Sequence, residues 1–254
     1  MEFIPIKTRI MMPPKDEIWD VLDDLDVRDG DIVFITSKVL AIHQGRCVAG
    51  VTTAPDTQQK CNNKTIVPVN KETLIKQEST RFCQSKNRAG FVCCLTVTDN
   101  ILIPNAGIDE SNANGHYILW PKETDKLCRE IRTRLCKKNN IKNLGVISTD
   151  SHTTPLRWGV TGITTGFAGI KPLKDIRGNQ DIFGREIQSV RVNMIDPLSA
   201  MAVLLMGEAA EQTPIVILRG YKNIEFCNKA GMEDFTILPE DDIYGPLLEV
   251  MKKE

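Results

Sequence analysis

Oxygen-bearing side chains are concentrated in the segment from Pro104 to Gly115, which reads PNAGIDESNANG and follows an apolar run. Asp109 and Asn112 of this segment offer carboxylate and amide oxygens. Hard cations such as Mg²⁺ and Mn²⁺ prefer these ligands, so the segment is typical of a metal site. The same residue types also suit a surface turn, in which an Asp or Asn side chain bonds to the backbone two residues on. The sequence leaves both interpretations open.

A second acidic side chain, Asp150, directly follows the apolar run Leu144–Ser148, which predicts a strand. A carboxylate at the end of a strand is a common means of holding a metal ion over a phosphate group. The alternative is an aspartate that caps a helix or forms a turn. His152 lies beside it, and it is either a general base or an ordinary hydrogen-bonded histidine.

Glycine recurs between residues 159 and 184, a stretch that carries Arg177 and is flanked by Arg157 and Arg185. The glycine spacing matches neither the phosphate-binding P-loop nor the dinucleotide fingerprint. Arginine forks among glycines can hold carboxylate or phosphate, although such arginines can also be solvated loop charges. Gly207-Glu208 ends an apolar run and suits a helix C-cap. The local chemistry suggests a metal-assisted enzyme acting on phosphates.

The remaining pattern predicts the elements that position these side chains. Apolar residues at helical spacing predict helices from about Pro14 to Leu25, from a Thr124 cap to Asn139, and from an Asp196 cap through Met206. Short apolar runs predict strands at Ile32–Ile35, Phe91–Val97, Ile101–Ile103, Leu144–Ser148 and Ile215–Leu218. Residues 52–72 are polar and predict an irregular excursion. Strands and helices mix without strict alternation, which favours an α+β fold.

Composition excludes several classes of protein. The chain has 254 residues with 32 basic and 33 acidic side chains, a balance that lacks the positive surface of a general nucleic-acid binder. No apolar run approaches the roughly 18 residues of a membrane span, and no secretory signal is visible at the start. The eight cysteines form no CxxC pair. We therefore expect reduced thiols and a cytoplasmic protein without nucleic-acid or membrane partners.

Several of these segments occur together, and in the same order, in one known family. They are Thr36-Ser37-Lys38-Val39, Asn105 to Asn112, Thr149-Asp150-Ser151, Pro155 to Val160, Gly166-Phe167-Ala168-Gly169, Asp175-Ile176-Arg177-Gly178, Asp181 to Arg185 and Pro214 to Gly220. On these motifs the chain resembles the coenzyme F-420:L-glutamate ligase family from about residue 5 to 220. The AGIDxSN block and residues 155–185 are the specific parts of the resemblance.

The resemblance implies a GTP-dependent ligase that adds L-glutamate through an amide bond to the side chain of a deazaflavin coenzyme. It also implies Mg²⁺ or Mn²⁺ at two sites, K⁺, and an α+β fold of mixed and antiparallel sheets with packed helices. A single ligase domain is expected over residues 1–254, built as one or two intertwined subdomains. The partners would be small-molecule substrates and a second copy of the chain in an intertwined homodimer.

Roles follow from the resemblance residue by residue. The implied metal ligands are Asp109, Asp150, Ser151 and Glu208. The implied nucleotide contacts are Thr36, Ser37, Lys38, Asn112, Met206, Gly207 and Glu208. Arg157 and Arg177 are our own assignment as clamps for substrate carboxylate or phosphate. These roles require three acidic side chains, Asp109, Asp150 and Glu208, to converge on the phosphates of a nucleotide.

The chain departs from the family pattern at two cationic positions. Ile42 stands where members commonly have lysine, and Thr154 where they commonly have arginine. We interpret this as catalysis retained with an altered nucleotide or acceptor preference. Two alternatives remain open: a γ-glutamyl ligase with a folate acceptor, and a regulator that binds nucleotide and metal without catalysis.

Overall fold

The computed structural model describes residues 1–50, 70–86 and 92–253. The described residues do not include most of the predicted excursion at residues 52–72, with Cys61 in it, nor Phe91. The strands are β1 (Glu2–Ile6), β2 (Asp31–Thr36), β3 (Cys47–Ala49), β4 (Arg81–Lys86), β5 (Val92–Thr98), β6 (Ile101–Pro104), β7 (His116–Ile118), β8 (Leu144–Thr153), β9 (Val160–Ala168), β10 (Leu173–Asp175), β11 (Arg191–Asn193), β12 (Ile215–Arg219) and β13 (Lys252–Lys253). The α-helices are α1 (Trp19–Asp23), α2 (Ser37–Gln44), α3 (Lys71–Glu78), α4 (Thr124–Asn139), α5 (Ile195–Met206) and α6 (Gly245–Leu248).

The chain divides into two compact units. The first unit comprises Met1–Arg9, Trp19–Ser37 and Glu123–Thr236. The second comprises Ile10–Ile18, Lys38–Lys122 and Ile237–Glu254. Both units combine sheets with packed helices, and the predicted α+β class is confirmed. In the described part of the chain, no helix has the length and apolar character needed to cross a membrane.

A five-stranded mixed sheet forms the centre of the first unit, with the order β1-β12-β2-β8-β9. β2 and β8 run parallel, and the other neighbouring pairs run antiparallel. The predicted helix α4 buries Leu127, Ile131 and Leu135, which confirms its apolar stripe. The main core cluster joins the sheet to α5 and includes Ile32, Phe34, Ile147, Phe167, Ile195, Leu198 and Ala202.

Two glycines of β9 allow the helices to pack closely on the sheet. A Cβ atom at Gly162 would lie 2.4 Å from the backbone oxygen of Ser199 in α5. A Cβ atom at Gly166 would lie 2.8 Å from side-chain carbons of Thr124 in α4. Such distances leave no room for a side chain. These members of the glycine-rich stretch therefore bring backbone close to helices of their own unit.

The second unit contains a four-stranded sheet, β13-β4-β5-β6, and the two-stranded ribbon β3-β7. Leu74 and Ile75 of α3 pack with Ala106, Ile108 and Leu119 in its core. The turn predicted between β5 and β6 is confirmed, because Asp99 and Asn100 connect the two strands with positive φ angles. The loop that follows β6 contributes Ala106 and Ile108 to this core, so the core anchors the loop.

Three predicted helix starts are corrected by the structure. The first helix begins at Trp19 rather than Pro14, because Asp16 N bonds to the carbonyl of Ile42 instead of entering a helical turn. Helix α4 is capped by Glu123 in the left-handed region, and Thr124 is its first residue. At α5 the capping residue is Met194.

The side chain that satisfies the first turn of α5 belongs to Asn193. Its Oδ1 atom accepts hydrogen bonds from the backbone N–H groups of Ile195, at 3.2 Å, and Asp196, at 3.1 Å. The Asp196 carboxylate is left to accept the backbone N–H of Thr164 in β9 at 3.0 Å. Asp196 therefore links the helix to the sheet instead of capping the helix.

Candidate active site

Asp150 lies where β8 continues beyond its parallel neighbour. β2 pairs with β8 up to Thr36 opposite Thr149, after which the chain turns into α2. The predicted strand Leu144–Ser148 in fact extends to Thr153, because β9 continues to pair with it. The Asp150 carboxylate therefore projects from a strand that is still held on one edge.

Two donors orient the Asp150 carboxylate. The buried Ser37 hydroxyl donates to Oδ2 at 2.7 Å, and the backbone N–H of Ser151 donates to Oδ1 at 2.8 Å. Ser37 is the first residue of α2, so the strand-to-helix turn places its hydroxyl at the strand end. The structure therefore places Ser37, predicted as a nucleotide contact, beside Asp150 and Ser151, predicted as metal ligands.

Asp109 forms the corresponding acidic group of the second unit. Ser111 donates to Asp109 Oδ1 through its backbone N–H at 2.9 Å and its hydroxyl at 2.7 Å, which is the turn considered from the sequence. The other oxygen, Oδ2, lies 2.6 Å from the Nζ atom of Lys38. Lys38 also donates to the carbonyl and hydroxyl of Ser111, both at 3.1 Å. The turn therefore presents a carboxylate beside a cation.

The backbone leading to Asp109 is strained. Asn105, Ala106 and Gly107 all have positive φ angles, of 53°, 55° and 66°. For an alanine this conformation costs about 1–2 kcal/mol. A buried hydrogen bond from Ala106 N to the Thr96 hydroxyl holds it, and Trp120 packs where a Cβ of Gly107 would lie. Stored strain of this kind is found at functional sites.

The remaining predicted nucleotide contacts lie at strand and helix ends or in loops. Thr36 ends β2, and its N–H donates to the carbonyl of Pro214 at 3.0 Å. Asn112 is exposed in the Asp109 loop. The C-cap interpretation of Gly207 is confirmed, and Glu208 follows it in an exposed loop. The side chain of Met206, in contrast, is buried in the core, so Met206 presents its backbone.

The two arginines predicted to clamp substrate, Arg157 and Arg177, differ in their hydrogen-bond partners. Arg157 is exposed and donates to the carbonyl of Leu156. Arg177 uses Nε and Nη2 on the Asp175 carboxylate. That side-chain hydrogen bonding holds the pKa of Asp175 well below its usual range. These two nitrogen atoms of Arg177 would have to leave the carboxylate before they could bind a substrate.

His152, Ile42 and Thr154 differ in how far they are buried. Burial lowers the pKa of His152, and the neighbouring charge of Asp196 opposes this only in part. Burial therefore favours the neutral form of His152. Ile42 is almost fully buried in α2, so this position contributes to packing. Thr154 is exposed.

The carboxylates of Asp109, Asp150 and Glu208 are oxygen donors of the kind that a hard divalent cation prefers. Asp109 belongs to the second unit, whereas Asp150 and Glu208 belong to the first. Among residues 1–50, 70–86 and 92–253, no group of three or more His, Cys, Asp or Glu side chains is placed to hold a metal ion. Mg²⁺ is usually bound through one or two carboxylates together with waters and substrate phosphates, so each of these carboxylates has the chemistry to contribute singly.

Sequence reasoning missed the contribution of Ser111, which binds both Asp109 and Lys38. Its position two residues after an aspartate in a turn was the available signal. The pairing of Lys38 with Asp109 had no local signal, because the two residues are far apart in the chain.

Comparisons with known proteins show similarity to one family of enzymes. The model of the F420-0:Gamma-glutamyl ligase family matches residues 5–220. A coenzyme F420:L-glutamate ligase of Methanopyrus kandleri is 32% identical over 225 residues, covering 87% of each chain. The enzyme of that name from Methanocaldococcus jannaschii is 30% identical, covering 89% of this chain and 88% of its own. That of Archaeoglobus fulgidus is 28% identical, covering 96% of both.

Proposed function

Because the chain belongs to the F420-0:gamma-glutamyl ligase family, we propose that it joins L-glutamate to coenzyme F420-0 in a GTP-dependent reaction. Family membership makes it a ligase that forms C–N bonds. The observation that carries the proposal is the family match over residues 5–220, supported by relatives of the same printed activity that cover nearly the whole chain. The coenzyme and L-glutamate are accordingly its small-molecule substrates.

Amide formation from a carboxylate requires activation of that carboxylate. The γ-phosphoryl group of GTP passes to a carboxylate oxygen of the coenzyme side chain, and the bond from that group to the β-phosphate bridging oxygen breaks. The glutamate amine then attacks the acyl phosphate carbon, loses a proton and expels phosphate. During phosphoryl transfer, negative charge spreads over the transferred oxygens. Residues at the site must therefore supply positive charge or hold it in place.

We propose that Asp109, Asp150, Ser151 and Glu208 hold two Mg²⁺ or Mn²⁺ ions, with K⁺ as a further ion. These ions would neutralise charge on the phosphates. The orientation of Asp150 by Ser37 and of Asp109 by Ser111 supports this assignment, since both carboxylates are already fixed. A carboxylate with fixed geometry needs little reorganisation to bind a cation.

Lys38 has a particular place in the proposed site. Its ammonium group lies against Asp109 in the structure. A cation arriving at Asp109 would displace it, and the flexible lysine stem would let the ammonium turn to the phosphates of GTP. We propose that Lys38 supplies the phosphate charge that the buried Ile42 does not. Thr36, Ser37, Asn112 and the loop from Gly207 would contact the rest of the nucleotide.

We also propose that the two units form one ligase domain over residues 1–254 and that the protein is an intertwined homodimer. In the first unit, large apolar side chains are almost fully exposed: Leu156, Trp158, Ile182 and Phe183. Exposed apolar side chains of this size are typical of association surfaces. The free cysteines of the described residues suit a reducing compartment, and we propose the cytoplasm.

The test uses the purified protein with labelled L-glutamate, Mg²⁺ and either GTP or ATP, and separate reactions contain F420-0 or a reduced folate. Labelled F420-0 product with GTP is expected. Asp109→Asn and Asp150→Asn should abolish incorporation, whereas the exposed control Asp24→Asn should retain it. Incorporation of labelled glutamate into the folate and not into F420-0 would show that the acceptor is a folate. Nucleotide-dependent stabilisation without incorporation would identify a regulator.

A further inference from the structure

The antiparallel pair of β8 and β9 contains a register shift beside Asp150. Ser148 pairs with Gly166, whereas the next residue of β8, Thr149, pairs with Thr164. Thr165 is therefore an extra residue in β9, and the irregularity is a β-bulge. Bulges re-aim side chains and are frequent next to active sites.

The bulge determines which residues of β9 support the proposed metal ligands. A change of one residue in pairing moves the following side chains to the opposite face of the sheet. Beyond the bulge, Asp150 pairs with Ile163 and Ser151 pairs with Gly162. β2 pairs with β8 only as far as Thr149, so β9 carries the strand support of Asp150.

Buried polar contacts hold the backbone on both sides of the extra residue. The hydroxyl oxygens of Ser148 and Thr165 lie 2.6 Å apart, and both residues are buried. Thr164 is fixed to α5, because its N–H donates to Asp196 at 3.0 Å and its hydroxyl lies 2.9 Å from that of Ser199. The side chains of Ser148, Thr164, Thr165 and Ser199 are all buried, so their hydroxyls bond to one another instead of to water.

From this geometry we infer that Thr165 is a positioning residue for Asp150. The Thr165 hydroxyl keeps the bulge in place, and the bulge sets the direction of the Asp150 carboxylate toward a divalent cation. This inference rests on the proposed function of Asp150 as a metal ligand. Replacing groups that orient metal ligands typically weakens metal binding or activity by about 10–100-fold.

The experiment measures the Mn²⁺ affinity of the protein without nucleotide, from the electron paramagnetic resonance signal of free Mn²⁺. Thr165→Val keeps the shape of the side chain and removes the hydroxyl, whereas Thr165→Ser keeps the hydroxyl. We expect Mn²⁺ binding to weaken by about tenfold or more in T165V and to stay close to wild type in T165S. Thr133→Val, on the exposed side of α4, is the matched control for the chemical change.

Ser148→Ala removes the other hydroxyl of the buried pair and provides a second test if T165V does not fold. It should weaken Mn²⁺ binding in the same direction. Wild-type affinity in T165V or in folded S148A, with weakened binding in Asp150→Asn, would overturn the positioning role alone. Unchanged affinity in Asp150→Asn would overturn the metal assignment of Asp150 and this inference with it.

Discussion

Replacing Lys38 with methionine should change metal and nucleotide binding in opposite directions. The Lys38 ammonium lies 2.6 Å from Asp109, and the side chains are 23% and 34% exposed. A charge-assisted hydrogen bond contributes about 1.5–3 kcal/mol, and we take the lower value because the pair is partly exposed. A cation that binds Asp109 must displace this ammonium. Removing it should therefore tighten Mn²⁺ binding without nucleotide by about tenfold.

The same substitution removes a phosphate contact, so the KM for GTP should rise by about tenfold while Mn²⁺ alone binds more tightly. Titration calorimetry measures the Mn²⁺ affinity, and steady-state glutamate incorporation measures the KM. Lys71→Met is the matched control, because Lys71 pairs with Glu110 on the same loop. Weaker Mn²⁺ binding in Lys38→Met, or an equal change in both variants, would refute the reasoning.

Three further predictions concern packing, charge and association. Gly162→Ala should lower the melting temperature by about 2–10 °C, because the new Cβ would lie 2.4 Å from the backbone oxygen of Ser199. An unchanged melting temperature would contradict the close packing of β9 on α5. Burial would by itself raise the pKa of Glu78, but hydrogen bonds from Arg46 and Lys122 outweigh it and keep the pKa low. The stabilisation by ionised Glu78 is present above about pH 4.3 and is lost as pH falls through the lowered pKa, so Glu78→Gln should destabilise the protein at pH 7 and by less at pH 3. Trp158→Asp should convert dimer to monomer in sedimentation velocity, and an unchanged dimer would place the interface elsewhere.

Local patterns predicted the elements that are amphipathic. Helix α4 was predicted from one apolar stripe, and that stripe is buried. Helix α2 was not predicted, because Val39 to Ile42 form an unbroken apolar run that is buried throughout and shows no helical period. The predicted start of helix α5 was wrong because the Asp196 side chain has a distant partner, the backbone N–H of Thr164, and does not cap the helix.

The local turn of the candidate site was predictable from the sequence, whereas its long-range contacts were not. The turn at Asp109 depends on Ser111, two residues away, and its residue types indicated it. The contact of Ser37 with Asp150 joins residues 113 positions apart, which no spacing rule reveals. The β-bulge at Thr165 depends on strand pairing, and residue order alone gave no sign of it.

The location of the bound cations tests the central claim most directly. Crystals of the protein grown with GTP and Mn²⁺ would be measured at the manganese absorption edge, where anomalous scattering identifies the ions. We expect anomalous peaks at about 2 Å from carboxylate oxygens of Asp109 and Asp150, in contact with the nucleotide phosphates. Manganese bound to the phosphates but away from both carboxylates would contradict the assignment.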